Sequence, residues 1–545
     1  MTTTLLAPWL SGLVLSYAIE ALLRPAVAPP WRRSVASHGV HLGSWCLLFA
    51  LFLLAVQRPW FAVVFILSLQ LVVVQSSNTK STTLKEPFIC QDFEYFLDAI
   101  KHPRLYVPFF GIGLAIAASS AGALAIAAFL WFEPSLVNRE LVSRGGAASL
   151  LLPVALLLTV AVALLVPCLR RLPPCTLAPQ QDLHRLGLFA ALWSYGVLAL
   201  RPPPEGALET PFADAPTVAP PREQLPHLVV VQSESFFDPR PWVPELPETL
   251  LPHFDALARG ALYQGPLRVP AWGANTVRTE AAFLTGQLPE ALGIHRFTPY
   301  RQFIRAPVTS LASHLRALGY RTVCVHPYPA GFYLRHRVIP NLGFDEFLDI
   351  RHFSTGDRDG QYIGDLAVAE KVGTLLDDSD NGPLFVFAIT MENHGPLHLE
   401  RPVPDDAPAL PPAVAERLTP EAAADLRVYL RHLGNADAML GRLKERLTPA
   451  TAEARHGMLC WYGDHVPIMS VAYRRLGEPS GDTCYALWSS RQAARADGAA
   501  RPLAASELGK ITLTALLRDA ACVANPNIYH QNNAVGQTQS HQEQE

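Results

Sequence analysis

Charge is scarce in this chain. Of 545 residues only 17% are Asp, Glu, Lys or Arg and 50% are hydrophobic, for a mean hydropathy of +0.17. An ordinary soluble domain carries nearer a quarter charged residues. So little charge excludes disorder as the general state, and the length argues for more than one domain. The eight cysteines include no CxxC pair and no Cys/His spacing of a zinc finger. Cys46 and Cys168 fall in apolar runs and Cys324 and Cys460 in strand-like runs, where they read as inert thiols. Cys484 and Cys522 could form a bridge if their domain lies outside the cytoplasm, which the sequence leaves open. Internal repeats are absent. The first apolar run has no basic n-region and no clear small-residue cleavage site, which argues against a cleaved signal peptide.

The charge that is present is unevenly spread. Residues 1–200 hold 13 Lys+Arg against 8 Asp+Glu, a net of +5, and residues 201–545 hold 31 against 39, a net of −8. An acidic second half has the wrong sign for a nucleic-acid partner and has carboxylates to spare for a cation.

Apolar runs fill the first half, near Leu5–Leu23, Leu42–Val56, Pro59–Val74, Leu105–Phe132, Ala147–Leu169 and Leu186–Leu200. A spanning helix needs about 20 apolar residues, so the second, third and sixth are short and the count is five or six. Ten Lys/Arg in the first, third and fifth loops face three in the second and fourth. That bias puts the odd loops in the cytoplasm and, with six spans, everything after Arg201 outside. Apart from Glu20, near a helix end, the spans lack the ionisable residues that mark an ion pathway. In the third loop Phe93, Phe96, Leu97 and Ile100 recur at helical spacing beside Asp92, Glu94 and Asp98, the pattern of an interfacial helix or of a loop helix packed on the bundle.

Residues 201–226 hold eight prolines and no apolar periodicity, which reads as a semi-rigid linker between a membrane domain (1–200) and a second domain (227–529). The polar tail 530–545 reads as disordered. In the second domain HLVVVQ (227–232), RTVCV (321–325), LFVFAIT (384–390) and MLCWY (458–462) read as buried strands, with helical patterns between them. Strands alternating with helices predict a mostly parallel sheet, whose ligands bind beyond the strand carboxyl ends. Each run is followed at once by polar residues: Glu234, His326, Glu392-Asn393-His394 and Asp464-His465. Singly these have structural explanations, as a helix-start acid, core histidines or a turn residue; together they mark one rim. Carboxylates with an imidazole form a mixed hard site for Mn²⁺, Mg²⁺ or Zn²⁺. Thr276, after Gly273-Ala274-Asn275 and opening a predicted helix to Leu284, is either a cap or, beside such a site, a nucleophile.

These motifs resemble the lipoteichoic acid synthase and phosphoglycerol transferase family of the alkaline phosphatase–sulfatase superfamily. VVVQSESF resembles its first metal-ligand strand, implying Glu234 on the metal, and GANTVRTE its nucleophile turn, implying Thr276 as attacking hydroxyl and ligand. GFYLRHRVIPNLGFDEF resembles its aromatic-x-Arg segment, implying that Arg335 grips the substrate phosphate, with Tyr333 where that family has Trp. ITMENHGPL implies His394 as a phosphate-binding residue, and CWYGDHVPIM implies Asp464 and His465 as metal ligands. Thr276-Val277-Arg278 is also similar to the Thr-x-Arg of phosphoethanolamine transferases.

The resemblance implies a multi-pass protein of the bacterial plasma membrane, with an extracytoplasmic sulfatase-like catalytic domain and a divalent ion, Mn²⁺ first, with Mg²⁺ or Zn²⁺ as alternatives. The donor lipid would be phosphatidylglycerol and the acceptor an envelope glycan or polymer. The alternatives are the same chemistry on phosphatidylethanolamine, or an idle scaffold that binds envelope lipid or polymer.

Overall fold

The computed structural model describes residues 2–94, 103, 112–136, 148–212, 220–379, 382–401, 408–451, 454–491 and 500–524. The chain divides into two compact units, Met1–Pro202 and Pro203–Glu545.

The first unit is helical: α1 (Thr2–Glu20), α2 (Val35–Val56), α3 (Pro59–Leu84), α4 (Ile112–Phe132), α5 (Ala148–Arg171), α6 (Pro179–Leu186) and α7 (Leu188–Ala199). Among the described residues Val35–Val56, Pro59–Leu84 and Leu150–Arg171 are long and apolar enough to cross a membrane. The second and third runs, short as read from apolar residues alone, are therefore full-length helices. α2 starts earlier because Ser34 caps it, its side chain accepting from the Ser37 N–H, and α3 continues through QSSNTKSTT to Leu84. At 12 residues α7 spans about 18 Å, short of a ~30 Å hydrocarbon core. Glu20 ends α1 buried against Arg33 (2.5 Å) and accepts the Leu188 N–H (2.5 Å), so it serves as an internal clasp. The third-loop helix proposed for residues 93–100 lies mostly outside the described residues, as does the 530–545 tail. Asp92 in that loop pairs with Lys80 at 2.7 Å.

The second unit is built on an eight-stranded sheet with strands β1 (His227–Ser233), β2 (Tyr263–Arg268), β3 (Arg321–Val325), β4 (Glu346–Leu348), β5 (Leu384–Ile389), β6 (Gly457–Gly463), β7 (Thr483–Ser489) and β8 (Leu503–Ala504). The order is β8-β2-β7-β6-β1-β5-β3-β4. Only β7 runs against the others, pairing antiparallel with β2 and β6. The four runs read as strands are thus central neighbours, β6-β1-β5-β3, all parallel. Continuous apolar sequence lets both faces be covered. One face packs on α10 (Asp365–Asp377) and the long α11 (Pro420–Leu447), the other on α8 (Thr276–Thr285), α9 (Arg335–Asn341) and α12 (Ala505–Ala524).

The proline-rich segment does not stay free of this core. Of its described residues, Phe212 and Leu225 are buried in the α12-side cluster. Two isolated apolar side chains leave no periodicity in sequence. Cys484 is a free, buried thiol, as are Cys324 and Cys460. Burial pushes the Cys460 thiol up to about 12 and that of Cys324 well above its ordinary range, which keeps both inert.

Candidate active site

Four parallel strands end on one rim, and three of them deliver its charged groups. Glu234 follows β1, Asp464 and His465 follow β6, and His394 lies in the loop after β5. The register pairs Ser233 with Gly463, which brings Glu234 beside Asp464. That approach needs glycine at 463, because a Cβ there would lie 1.7 Å from the Phe236 carbonyl oxygen. The Asp464 Oδ1 accepts the Ser235 N–H (2.9 Å) and its own neighbour's, that of His465 (2.9 Å), which locks the turn.

Glu234, Asp464 and His465 each offer a donor atom within 4.8 Å of the others, and all three are buried. His465 Nδ1 donates to the Val466 carbonyl (3.2 Å), so in the neutral ring the Nε2 lone pair points at Glu234 (3.7 Å) and Asp464 (3.2 Å). Asp464 Oδ2 and His465 Nε2 have no hydrogen-bond partner among the described residues. Burial, then the Asp464 charge, pushes the Glu234 carboxyl up to about 8. Orphaned buried donor atoms facing one another, on carboxylates and an imidazole, fit a divalent cation.

Thr276 is the first residue of α8, after Asn275 in the left-handed conformation (φ 65°). One turn on, Thr279 Oγ1 donates to the Asp464 carbonyl oxygen (2.9 Å), tying the amino end of α8 to the turn that carries Asp464. Glu280, four residues after Thr276 on the same helix, is also buried.

Arg335 is fully buried, its guanidinium paired with Glu280 through two nitrogens. Its Nη1 donates to His326 Nε2 (3.1 Å), and its Cζ lies 5.3 Å from the Tyr333 ring centroid. An arginine only donates, so His326 must accept at Nε2 and donate at Nδ1, which it does to the Ile389 carbonyl (3.2 Å). Burial and the Arg335 charge hold that ring neutral. Tyr333 and Leu334 both take positive φ (53° and 59°), two successive left-handed non-glycine residues just before Arg335. Arg335 also acts electrostatically on Glu234 and His394.

His394 Nδ1 donates to the Gly395 carbonyl (2.6 Å), and burial holds its pKa below the ordinary range. The neutral ring therefore keeps its lone pair on Nε2. Sequence reasoning missed Glu280 as the partner of Arg335. Its signal was the four-residue helical spacing from Thr276.

A mostly parallel sheet with a buried carboxylate–imidazole triad at its strand carboxyl ends defines an α/β domain suited to metal-assisted chemistry. Residues 226–493, just under half of the chain, match the family described as Sulfatase. The chain is 27% identical over 450 residues to the capsular polysaccharide biosynthesis protein RkpI of Rhizobium meliloti, covering 80% of this chain and 79% of that one. It is 29% identical over 259 residues to a putative cyclic beta-1,2-glucan modification protein of the same organism, covering 47% of this chain and 38% of that one. Its fold is similar to that of the integral membrane lipooligosaccharide phosphoethanolamine transferase A from Neisseria meningitidis, with a TM-score of 0.54, 13% identity and 95% of each chain covered.

Proposed function

We propose that this protein is a membrane-anchored, metal-dependent phosphotransferase that moves glycerol phosphate from phosphatidylglycerol to an envelope glycan or polymer. The observation that carries this reading is the set of orphaned donor atoms on Asp464 and His465, facing Glu234, with Thr276 opening the helix tied to the same turn. The relatives named for capsular polysaccharide biosynthesis and glucan modification support an envelope glycan as acceptor. The apolar helices of residues 1–200 support a membrane domain that keeps the catalytic domain, 227–529, near its lipid at a bacterial plasma membrane, and an envelope-glycan acceptor would require that domain on the extracytoplasmic face.

Glu234, Asp464, His465 and Thr276 would hold the ion, Mn²⁺ by preference. Bound there, a divalent ion lowers the pKa of a coordinated hydroxyl and offsets charge on phosphoryl oxygens. Thr276 Oγ attacks the phosphorus, forming one P–O bond as the bond to the diacylglycerol oxygen breaks. The proton that Thr276 loses balances the one that the departing diacylglycerol hydroxyl gains, and His394 Nε2 is free to carry it. The glycerophospho-threonine is then resolved by an acceptor hydroxyl, which restores Thr276. The amino end of α8 presents N–H groups and a positive dipole end to the phosphoryl oxygens. Arg335, which acts electrostatically on Glu234 and lies against the Tyr333 ring, would supply charge to the phosphoryl oxygens, with Tyr333 beside it.

Phosphatidylethanolamine is the second donor, favoured by Thr276-Val277-Arg278. Diacylglycerol release by full-length protein in detergent, from each labelled lipid, tests the reading with Mn²⁺, Mg²⁺, Zn²⁺ or chelator and with Thr276→Ala. Metal-dependent release from phosphatidylglycerol, lost in the variant, is expected. Mass analysis of trapped Thr276 separates glycerophosphate from phosphoethanolamine. Silence on both lipids with metal bound would overturn the transferase reading in favour of a scaffold.

A further inference from the structure

A second group of residues has metal-like spacing. Asp359, Glu392 and His432 each offer a donor within 4.8 Å of the others. Hydrogen bonding separates the two groups. At the Glu234 triad two donor atoms are orphaned, whereas in the second group every donor atom is used. Glu392 Oε1 accepts from His432 Nδ1 (2.6 Å) and Asn435 Nδ2 (2.6 Å), and its Oε2 accepts the Asp365 N–H (2.6 Å). His432 Nε2 donates to Glu400 Oε1 (3.1 Å), so both ring nitrogens donate to carboxylates and the ring is an imidazolium. Asp359 accepts from Asn435 Nδ2 (3.0 Å) and from Arg431, which also reaches Glu400 (3.0 Å). The cations already present meet the carboxylates, which makes this cluster a brace.

What it braces is set by α11. His432 and Asn435 lie three residues apart, and Tyr429 three residues before, so all three share one face of the helix. Tyr429 Oη donates to the Ser235 carbonyl oxygen (3.0 Å), next to Glu234. The Tyr429 carbonyl accepts from Asn393 Nδ2 (3.4 Å), next to His394. His432 and Asn435 fix Glu392 in the same loop. A cross-link closes the arrangement: the Glu234 N–H donates to Thr390 Oγ1 (2.9 Å), two residues before Glu392.

We propose that this face of α11 (Tyr429, His432 and Asn435) is a positioning device that sets the turn bearing Glu234 and the loop bearing His394 relative to one another, with the His432–Glu392 ion pair as its clamp. The inference rests on the proposed active site for its catalytic consequence, but the loop restraint itself can be measured without turnover. A metal-ligand error would silence the triad; a positioning error leaves it loaded and misplaces His394.

The test uses full-length protein in detergent, with His432→Gln, His432→Ala and the milder Asn435→Ala, which keeps the charged pair if the histidine variants fail to fold. Amide hydrogen exchange is read at residues 390–397, with β3 and β6 as internal references, alongside Mn²⁺ affinity and stoichiometry by calorimetry and lipid turnover. Exchange at 390–397 is expected to rise at least tenfold while β3 and β6 stay unchanged. Mn²⁺ affinity is expected to stay within about threefold. Turnover is expected to fall in kcat by roughly 10- to 100-fold at nearly constant KM, the cost of misplacing a catalytic group by about 1 Å. His432→Gln, with one amide donor in place of the charged ring, should lie between wild type and His432→Ala. Unchanged exchange at 390–397 would overturn the proposal, as would loss of a bound Mn²⁺ equivalent in the His432 variants. If wild type turns over neither lipid, the transferase reading fails while the exchange result still decides the brace.

Discussion

Glu234 holds a proton that a metal must displace. Its carboxyl is pushed up to about 8 by burial first and by Asp464 second. Metal binding below that pH therefore releases a proton, and Mn²⁺ affinity should rise roughly tenfold per pH unit between about 6 and 8, then level off. Calorimetry in buffers of different ionisation enthalpy would read about one proton released per ion at pH 7. A flat affinity across that range would remove Glu234 from the ligand set. Arg335 makes a different prediction at the same scale. Its guanidinium is fully buried with Glu280 as its carboxylate partner. Glu280→Gln leaves that charge uncompensated, and the expected loss is about 3–5 kcal/mol of stability by chemical denaturation.

Elements place these groups. The carboxyl end of β6 can approach β1 only because residue 463 has no side chain, with the Phe236 carbonyl oxygen 1.7 Å from where a Cβ would stand. Gly463→Ala should move the Asp464-His465 turn, cost about 1–3 kcal/mol, and weaken Mn²⁺ binding with the ligand residues intact. Calorimetry beside thermal unfolding would show both effects. In α11, burial opposes the charge on His432, but hydrogen bonds to Glu392 and Glu400 outweigh it and hold its pKa up at about 9. A folded pKa raised above the ordinary 6.5 means stabilisation that is complete below pH 6.5 and lost as pH rises through 9. The difference in urea unfolding free energy between wild type and His432→Gln should be on the order of 3 kcal/mol at pH 6 and shrink towards zero near pH 9.5. Equal differences at both pH values would show that the ring is not charged in the folded protein.

At the scale of the whole molecule, the two units have separate cores. A fragment of residues 203–529 is expected to unfold cooperatively and to bind Mn²⁺ as tightly as the full chain. Its release of diacylglycerol from bilayers should fall by about 100-fold, because the tether that concentrates it at the lipid surface is gone. Equal rates for fragment and full chain would show that the helical unit contributes nothing to turnover by anchoring. The same division explains what was readable. VVVQ, RTVCV, LFVFAI and MLCWY were legible as strands because buried parallel strands are continuously apolar. β2, with Gly265 and Pro266 inside it, and the two-residue β8 carry no such signal. Two of the three spans read as short, the second and third, were longer because polar residues at helix ends carry no hydropathy signal, while capping and packing extend the helix through them.

By itself the sequence determined the alternation of buried strands and helices, the apolar first half, and the polar residues at the strand ends, Glu234, His326, His394, Asp464 and His465. Those features are local: periodicity and strand termination are written within a few neighbouring residues. The tertiary structure alone decided which of these groups meet. It set Glu234 against Asp464 and His465 through strand register, gave Arg335 to Glu280 and His326, and separated a triad with orphaned donor atoms from a braced cluster of the same residue types. Pairings across 55 residues, as between Glu280 and Arg335, or 230, as between Gln232 and Tyr462, are fixed by the packing of helices on a sheet. No short window of sequence holds that information.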